Sequence, residues 1–125
     1  MNLLLDTHAL IWILANEPIL SAPARKAVED PKNQVFMSAV TAWEIAIKRG
    51  LGKLRAPQNY LEALRRYRFT PLDVTSEHAL AVEELPPHHN DPFDRLLIAQ
   101  ARCERLTLVT CDKRFRQYEV QLLKA

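Results

Sequence analysis

The chain has 125 residues, 48% apolar and 26% charged, with 17 Lys and Arg against 15 Asp and Glu and a formal charge of +2. That composition excludes a disordered chain or a basic tail, and two cysteines without framework spacing, Cys103 and Cys111, exclude a disulfide scaffold. The longest apolar run, Ala9 to Ala15, falls far short of the ~20 residues that cross a bilayer, and no basic region opens a signal peptide, so a cytoplasmic location is expected.

Asn2 to Asp6 reads as a short, continuously apolar strand, followed by a helix from Thr7 to Ala15. Ser21 caps a second helix, with Pro23 in its first turn, that ends before Asp30-Pro31. Gln34 to Met37 reads as a strand, and Ser38 caps a helix that stops at Gly50 or Gly52. Pro57 opens a helix to about Arg68, and Phe69 to Val74 is a weak strand interrupted by Pro71. Thr75 caps a helix through Glu84, stopped by Pro86-Pro87. Asp91-Pro92 opens a strong helix to about Arg105, then Leu106 to Thr110 forms a strand and Val120 to Leu123 a last one. Strands alternating with helices predict an α/β fold with a mainly parallel sheet. Leu3-Leu4-Leu5, without polar alternation, suits a sheet covered on both faces. The two glycines form no phosphate-binding loop.

In such sheets, function sits outside the carboxyl ends of the strands. Asp6 directly follows the first strand and Asp112 follows the Leu106 to Thr110 strand after Cys111. Val40, Trp43, Ile47 and Leu51 form an apolar helical stripe with Glu44 on its edge. Asp91 suits a helix N-cap, while Asp94 sits one turn before Leu97 and Ile98 and can face the sheet edge. Each acid also has an ordinary explanation as a cap, a turn former or a dipole-favoured residue. Four converging carboxylates repel unless a cation joins them, and oxygen ligands suit Mg²⁺ or Mn²⁺. No His or Cys pair has zinc spacing. His88-His89, in a Pro-flanked loop, read as solvated, and His8 as a packing residue or one lining a site.

Charge is segregated. Ile45 to Thr70 carries seven Lys or Arg and one acid, and Pro71 to Asp94 carries six acids and no Lys or Arg. Lys48, Arg49, Lys53 and Arg55 are therefore candidates to hold a phosphodiester backbone beside an acidic, metal-holding site, although solvated faces also look like this.

Four segments, in order, carry a resemblance. Leu4-Leu-Asp6-Thr-His-Ala-Leu-Ile-Trp12, Phe36-Met-Ser38-Ala-Val-Thr-Ala-Trp-Glu44, Asn90-Asp91-Pro-Phe-Asp94-Arg-Leu-Leu-Ile-Ala-Gln and Leu108-Val-Thr110-Cys-Asp112-Lys-Arg-Phe resemble the motifs of PIN-domain ribonucleases of the VapC toxin type. The resemblance covers nearly the whole chain. It implies one PIN domain over residues 1–125, a three-layer α/β/α fold with a mainly parallel central sheet. It further implies a Mg²⁺- or Mn²⁺-dependent endoribonuclease whose metal-holding and catalytic acids are Asp6, Glu44, Asp94 and Asp112. Thr110, Ser38 and Asp91 would support them, with Asp91 an alternative third acid. A cognate antitoxin and a homodimer are implied too. Two other readings stay open: a Mg²⁺-binding receiver-like phosphoacceptor domain, and an RNA-binding module without catalysis.

Overall fold

Leu3, Leu4 and Leu5 are fully buried, as a strand apolar on both faces must be. The computed structural model describes residues 1–54 and 60–125. In it β1 (Asn2–Leu5), β2 (Gln34–Ser38), β3 (Thr70–Leu72), β4 (Thr107–Thr110) and β5 (Leu122–Lys124) form one sheet in the order β3-β2-β1-β4-β5. Every neighbouring pair is parallel, with Leu4 opposite Phe36 on one side and Leu108 on the other.

Helices α1 (Thr7–Leu14), α2 (Ala22–Glu29), α3 (Ala39–Gly50), α4 (Tyr60–Tyr67), α5 (Ser76–Ala81) and α6 (Pro92–Glu104) connect or follow the strands. Alternation along the strands divides the core between two faces. Leu3, Leu5, Val35, Met37 and Val109 pack with Leu10, Ile13, Leu20 and Ala24 of the first two helices and their link. Leu4 and Leu108 pack with Leu97, Ile98 and Ala101 of α6, and with Phe115. The predicted three-layer, mainly parallel architecture is therefore present.

The predicted caps hold. Ser21, Ser38, Thr75 and Asp91 each accept a backbone N–H at the start of α2, α3, α5 and α6. Three readings need correction. Pro71 does not break its strand, because β3 is an edge strand where a missing N–H is tolerated. The last strand begins two residues later than expected, at Leu122. The stripe on α3 is turned outward: Val40 is buried, but Trp43 is 53% and Leu51 63% exposed. The buried face of α3 is Val40, Thr41, Glu44 and Ile45. The predicted start of a helix at Pro57 lies outside the described residues.

Strand order decides one alternative. From β1 the chain winds to β2 and β3, then crosses to β4 and β5 on the other side, so the order reverses between β1 and β4. Receiver-like domains have the order 2-1-3-4-5 and reverse elsewhere. The crevice that the reversal opens lies at the carboxyl ends of β1 and β4, where Asp6 and Asp112 follow.

Candidate active site

Asp6 continues the strand before it starts a helix. Its N–H donates to the Val109 carbonyl at 3.1 Å, and its carboxylate Oδ1 accepts the Ala9 N–H at 2.8 Å as N-cap of α1. The side chain is buried, and this burial pushes its pKa above the ordinary value, opposed by a hydrogen bond from Thr110 and by the Ala9 N–H. Thr110 Oγ1 in turn accepts the Asp112 N–H at 3.1 Å. One hydroxyl thus links the acids that follow the two central strands.

Glu44 enters from α3 and is 4% exposed. A buried carboxylate needs partners, and both of its oxygens have one: Thr7 Oγ1 donates to Oε1 at 2.6 Å, and Lys48 Nζ, one turn along α3, pairs with Oε2. The hydrogen bond that Lys48 donates to Glu44 raises the Lys48 pKa most, and the negative charges of Glu44, Asp91 and Asp94 raise it further.

Asp91 and Asp94 divide the labour at the start of α6. Asp91 Oδ1 accepts the N–H groups of Phe93 and Asp94 as the N-cap. Asp94 points to the sheet edge, where its Oδ2 lies 2.7 Å from His89 Nε2. Burial first, then the charge of Asp91, pushes the Asp94 pKa up to about 6, with His89 pulling it down. His89 Nε2 is also 3.8 Å from Asp112 Oδ2. Asp112 is paired with Arg114, whose guanidinium holds its carboxyl below the usual range. Electrostatic coupling of Asp6 with Glu44, and of Glu44 with Asp94, joins these groups into one acidic patch.

His89 corrects the expectation of a solvated pair: it is 6% exposed, against the exposed His88 beside it. Adjacency in sequence hid a residue held by its neighbours in space. Arg95 supplies the hold. Its guanidinium donates to the carbonyls of Val82, Leu85, Pro86 and His89 at 3.0–3.3 Å, and to the Tyr118 hydroxyl at 3.4 Å. Arg95→Ala leaves four carbonyls without that donor. It is expected to destabilise the protein by about 2–4 kcal/mol in urea unfolding, the range for losing several charge-assisted hydrogen bonds at a half-buried site. An unchanged midpoint would show that the loop is held by other contacts.

Ser38 stands apart from the acids. Its hydroxyl caps Val40 and donates to Gln100 Oε1 at 2.6 Å, and its carbonyl accepts from Tyr60, so it fixes the start of the helix that carries Glu44. Lys48 reaches the site, Arg49 and Lys53 are exposed, and Arg55 lies outside the described residues. Lys113 and Arg116 were not among the expected site residues. With Thr110, Cys111 and Asp112 they line a depression of about 280 Å³ at the same sheet edge. The signal was present in the run of cations directly after Asp112.

A ring nitrogen of His89 and one carboxylate oxygen each of Asp94 and Asp112 lie within 4.8 Å of one another. Carboxylates this close suit a divalent cation, and because burial and neighbouring carboxylates raise the pKa values of Asp6 and Asp94, a cation against them would favour their ionised forms.

The PIN domain family model matches residues 3–121. The chain belongs to the PIN domain family. Among relatives of this PIN domain, ribonuclease VapC22 of Mycobacterium tuberculosis is 31% identical over 124 residues, covering 94% of this chain and 92% of that protein. Ribonuclease VapC16 of the same organism is 41% identical over 69 residues, about half of either chain. The same fold occurs in the VapBC2 complex of Rickettsia felis bound to a DNA fragment from their promoter, with a TM-score of 0.71, 18% identity and 98% of both chains covered. It also occurs in DNA-bound VapBC from Salmonella typhimurium, with a TM-score of 0.70, 18% identity and 98% and 97% coverage. Among the described residues no helix is long and apolar enough to cross a membrane.

Proposed function

We propose that this PIN domain is a divalent-metal-dependent endoribonuclease that hydrolyses RNA phosphodiester bonds as the toxin of a toxin–antitoxin pair, with residues 1–125 working as one domain. The observation that carries this reading is the arrival of Asp6, Asp94 and Asp112 at the crevice where strand order reverses, with Glu44 beside them. The near full-length likeness to a named VapC ribonuclease supports the same activity.

Asp6, Glu44, Asp94 and Asp112 hold Mg²⁺ or Mn²⁺, and Thr110 and Asp91 support them. When bound, the ion supplies Lewis acidity toward the phosphoryl oxygens and lowers the pKa of water. Thr110 keeps the Asp6 carboxylate oriented and ties it to the backbone of Asp112. Thr7 fixes Glu44 from one side, while Lys48 balances it from the other and is placed to exchange that partner for a phosphate oxygen. Attack by water, not by the ribose 2′-hydroxyl, leaves a 5′-phosphate and a 3′-hydroxyl. Unpaired RNA loops are the favoured substrates because their bases splay out.

The decisive experiment incubates purified protein with total RNA, with Mn²⁺, with Mg²⁺ and with excess chelator, and sequences the new 5′ ends. Metal-dependent cuts at a few defined sites are expected. Cleavage undiminished in chelator overturns the metal dependence, and RNA binding without any cleavage overturns the nuclease reading.

The basic residues provide a separate prediction. Neutralising Lys48, Arg49, Lys53 and Arg55 together is expected to weaken RNA binding and flatten the slope of log affinity against log salt by up to about three, since each phosphate contact on a single strand adds roughly 0.7. An unchanged slope would make them solvated surface charges.

The toxin reading places the protein in the cytoplasm with an antitoxin that suppresses cleavage. Two of the fold neighbours are VapBC structures, from Rickettsia felis and Salmonella typhimurium. Homodimerisation is supported by the outward face of α3, where Trp43, Ile47 and Leu51 are exposed and Trp43 packs edge-on to Phe93 at 4.8 Å.

A further inference from the structure

We infer that His89 is a positioning residue of the metal site: as a hydrogen-bond donor, not a ligand, it fixes the Asp94 carboxylate so that its free oxygen faces the cation. This rests on the nuclease reading of the same site.

The two ring nitrogens decide the role. Nδ1 receives the Asp91 backbone N–H at 3.4 Å, and Nε2 lies 2.7 Å from Asp94 Oδ2. A nitrogen that accepts an N–H carries no proton, so in the neutral ring the proton sits on Nε2 and is donated to Asp94. The same proton leaves Nε2 no lone pair for a metal ion. The ring cannot easily turn away. It is 6% exposed, sits against Phe115 with centroids 6.1 Å apart, and its own carbonyl is held by Arg95. Asp94 is thereby tied at one oxygen to the ring while its N–H is capped by Asp91, which leaves Oδ1 as the freer oxygen. A ligating carboxylate whose second oxygen is held by a fixed donor binds metal more tightly, because the geometry is set before the ion arrives.

The position of His89 between two acids serves the same end. Nε2 is 3.8 Å from Asp112 Oδ2, beyond hydrogen-bond range, so Asp112 keeps its own partner Arg114 and Asp94 alone is oriented by the ring. Sequence neighbours divide accordingly: exposed His88 packs edge-on to Tyr118, at 5.4 Å, and takes no part.

The test titrates Mn²⁺ into the metal-free full chain and follows free Mn²⁺ by electron paramagnetic resonance. Three variants are compared: His89→Leu, which removes the donor; His89→Gln, whose side-chain amide places an N–H near the Nε2 position; and His89→Asn, whose amide falls short. Thermal melts confirm folding. His89→Leu and His89→Asn are expected to bind Mn²⁺ 10–100-fold more weakly, and His89→Gln to stay within about threefold of the unsubstituted protein. If His89→Leu does not fold, the Gln and Asn pair carries the same contrast. Affinity unchanged in His89→Leu or His89→Asn overturns the inference. So does a folded His89→Gln that binds as weakly as His89→Asn, and so does a nitrogen coupling in the Mn²⁺ spectrum that shows the imidazole bound directly. An unsubstituted protein that neither binds Mn²⁺ nor cuts RNA fails the nuclease reading and this inference with it. Normal cleavage and binding together with unaffected His89 variants fail the inference alone.

Discussion

Asp6→Asn and Asp94→Asn are each expected to lower RNA cleavage by about three orders of magnitude or more, with the fold intact. Asn keeps the shape of Asp and can still accept the Ala9 N–H at position 6 or the His89 N–H at position 94. It loses the negative charge that holds a divalent ion, and a loss of about 4 kcal/mol in transition-state stabilisation corresponds to three orders in rate. Asp91→Asn is the informative contrast. Asn caps helices as well as Asp does, and Asp91 already spends Oδ1 on two backbone N–H groups. Its effect should stay below about tenfold in rate. Single-turnover cleavage of one RNA measures all three. Full activity in Asp94→Asn together with loss in Asp91→Asn would make Asp91 the third acid.

A second large effect is expected in stability. The Asp94 pKa is raised from 3.8 to about 6, mainly by burial and then by Asp91. A carboxylate raised in the folded state favours that state when protonated. Its stabilising contribution is full below about pH 4 and is lost as pH rises through about 6. At pH 7.5 in chelator the protein therefore carries an ionised Asp94 at a cost of up to about 3 kcal/mol. Asp94→Asn is expected to melt higher under those conditions, by roughly 5–10 °C for a chain of this size, and the gain should vanish below pH 4. Added Mn²⁺ should stabilise Asp94→Asn less than the unsubstituted protein, because the weakened site gains less by mass action. Cleavage at limiting metal should likewise fall as pH drops through 6. If Asp94 were only a dipole-favoured acid in a helix's first turn, Asp94→Asn would instead melt slightly lower and respond to metal as before. Melts of both proteins, with chelator and with metal, at pH 4 and 7.5, separate the two.

The sheet and its helices were legible because their signals are local. Leu3-Leu4-Leu5 reads as a strand covered on both faces whatever packs on it, and the caps Ser21, Ser38, Thr75 and Asp91 act within three residues of themselves. The acids at strand ends and helix starts were legible for the same reason, and the motif resemblance named the same four. Capping and convergence proved compatible: Asp6 is the N-cap of α1 and Asp112 caps the short 3₁₀ turn after it, yet both stand at the crevice.

What the sequence could not supply is which neighbour each side chain meets. The periodicity of α3 identified a stripe through Trp43, Ile47 and Leu51 but not its direction. The tertiary structure turns it to solvent, because Thr7 and Lys48 give Glu44 the partners that allow a carboxylate to face inward. Pro71 looked like a break until strand order put it at an edge. His89 looked like half of a solvated pair until Arg95 folded the preceding loop against α6 and set the ring between Asp94 and Asp112. Local propensity and capping are written within a turn or two of the chain, so the elements and the places of the acids along them could be read there. Partnership across 37 residues, as between Thr7 and Glu44, exists only once the sheet has brought its strands into register, and that step alone decided which carboxylates meet and what holds them.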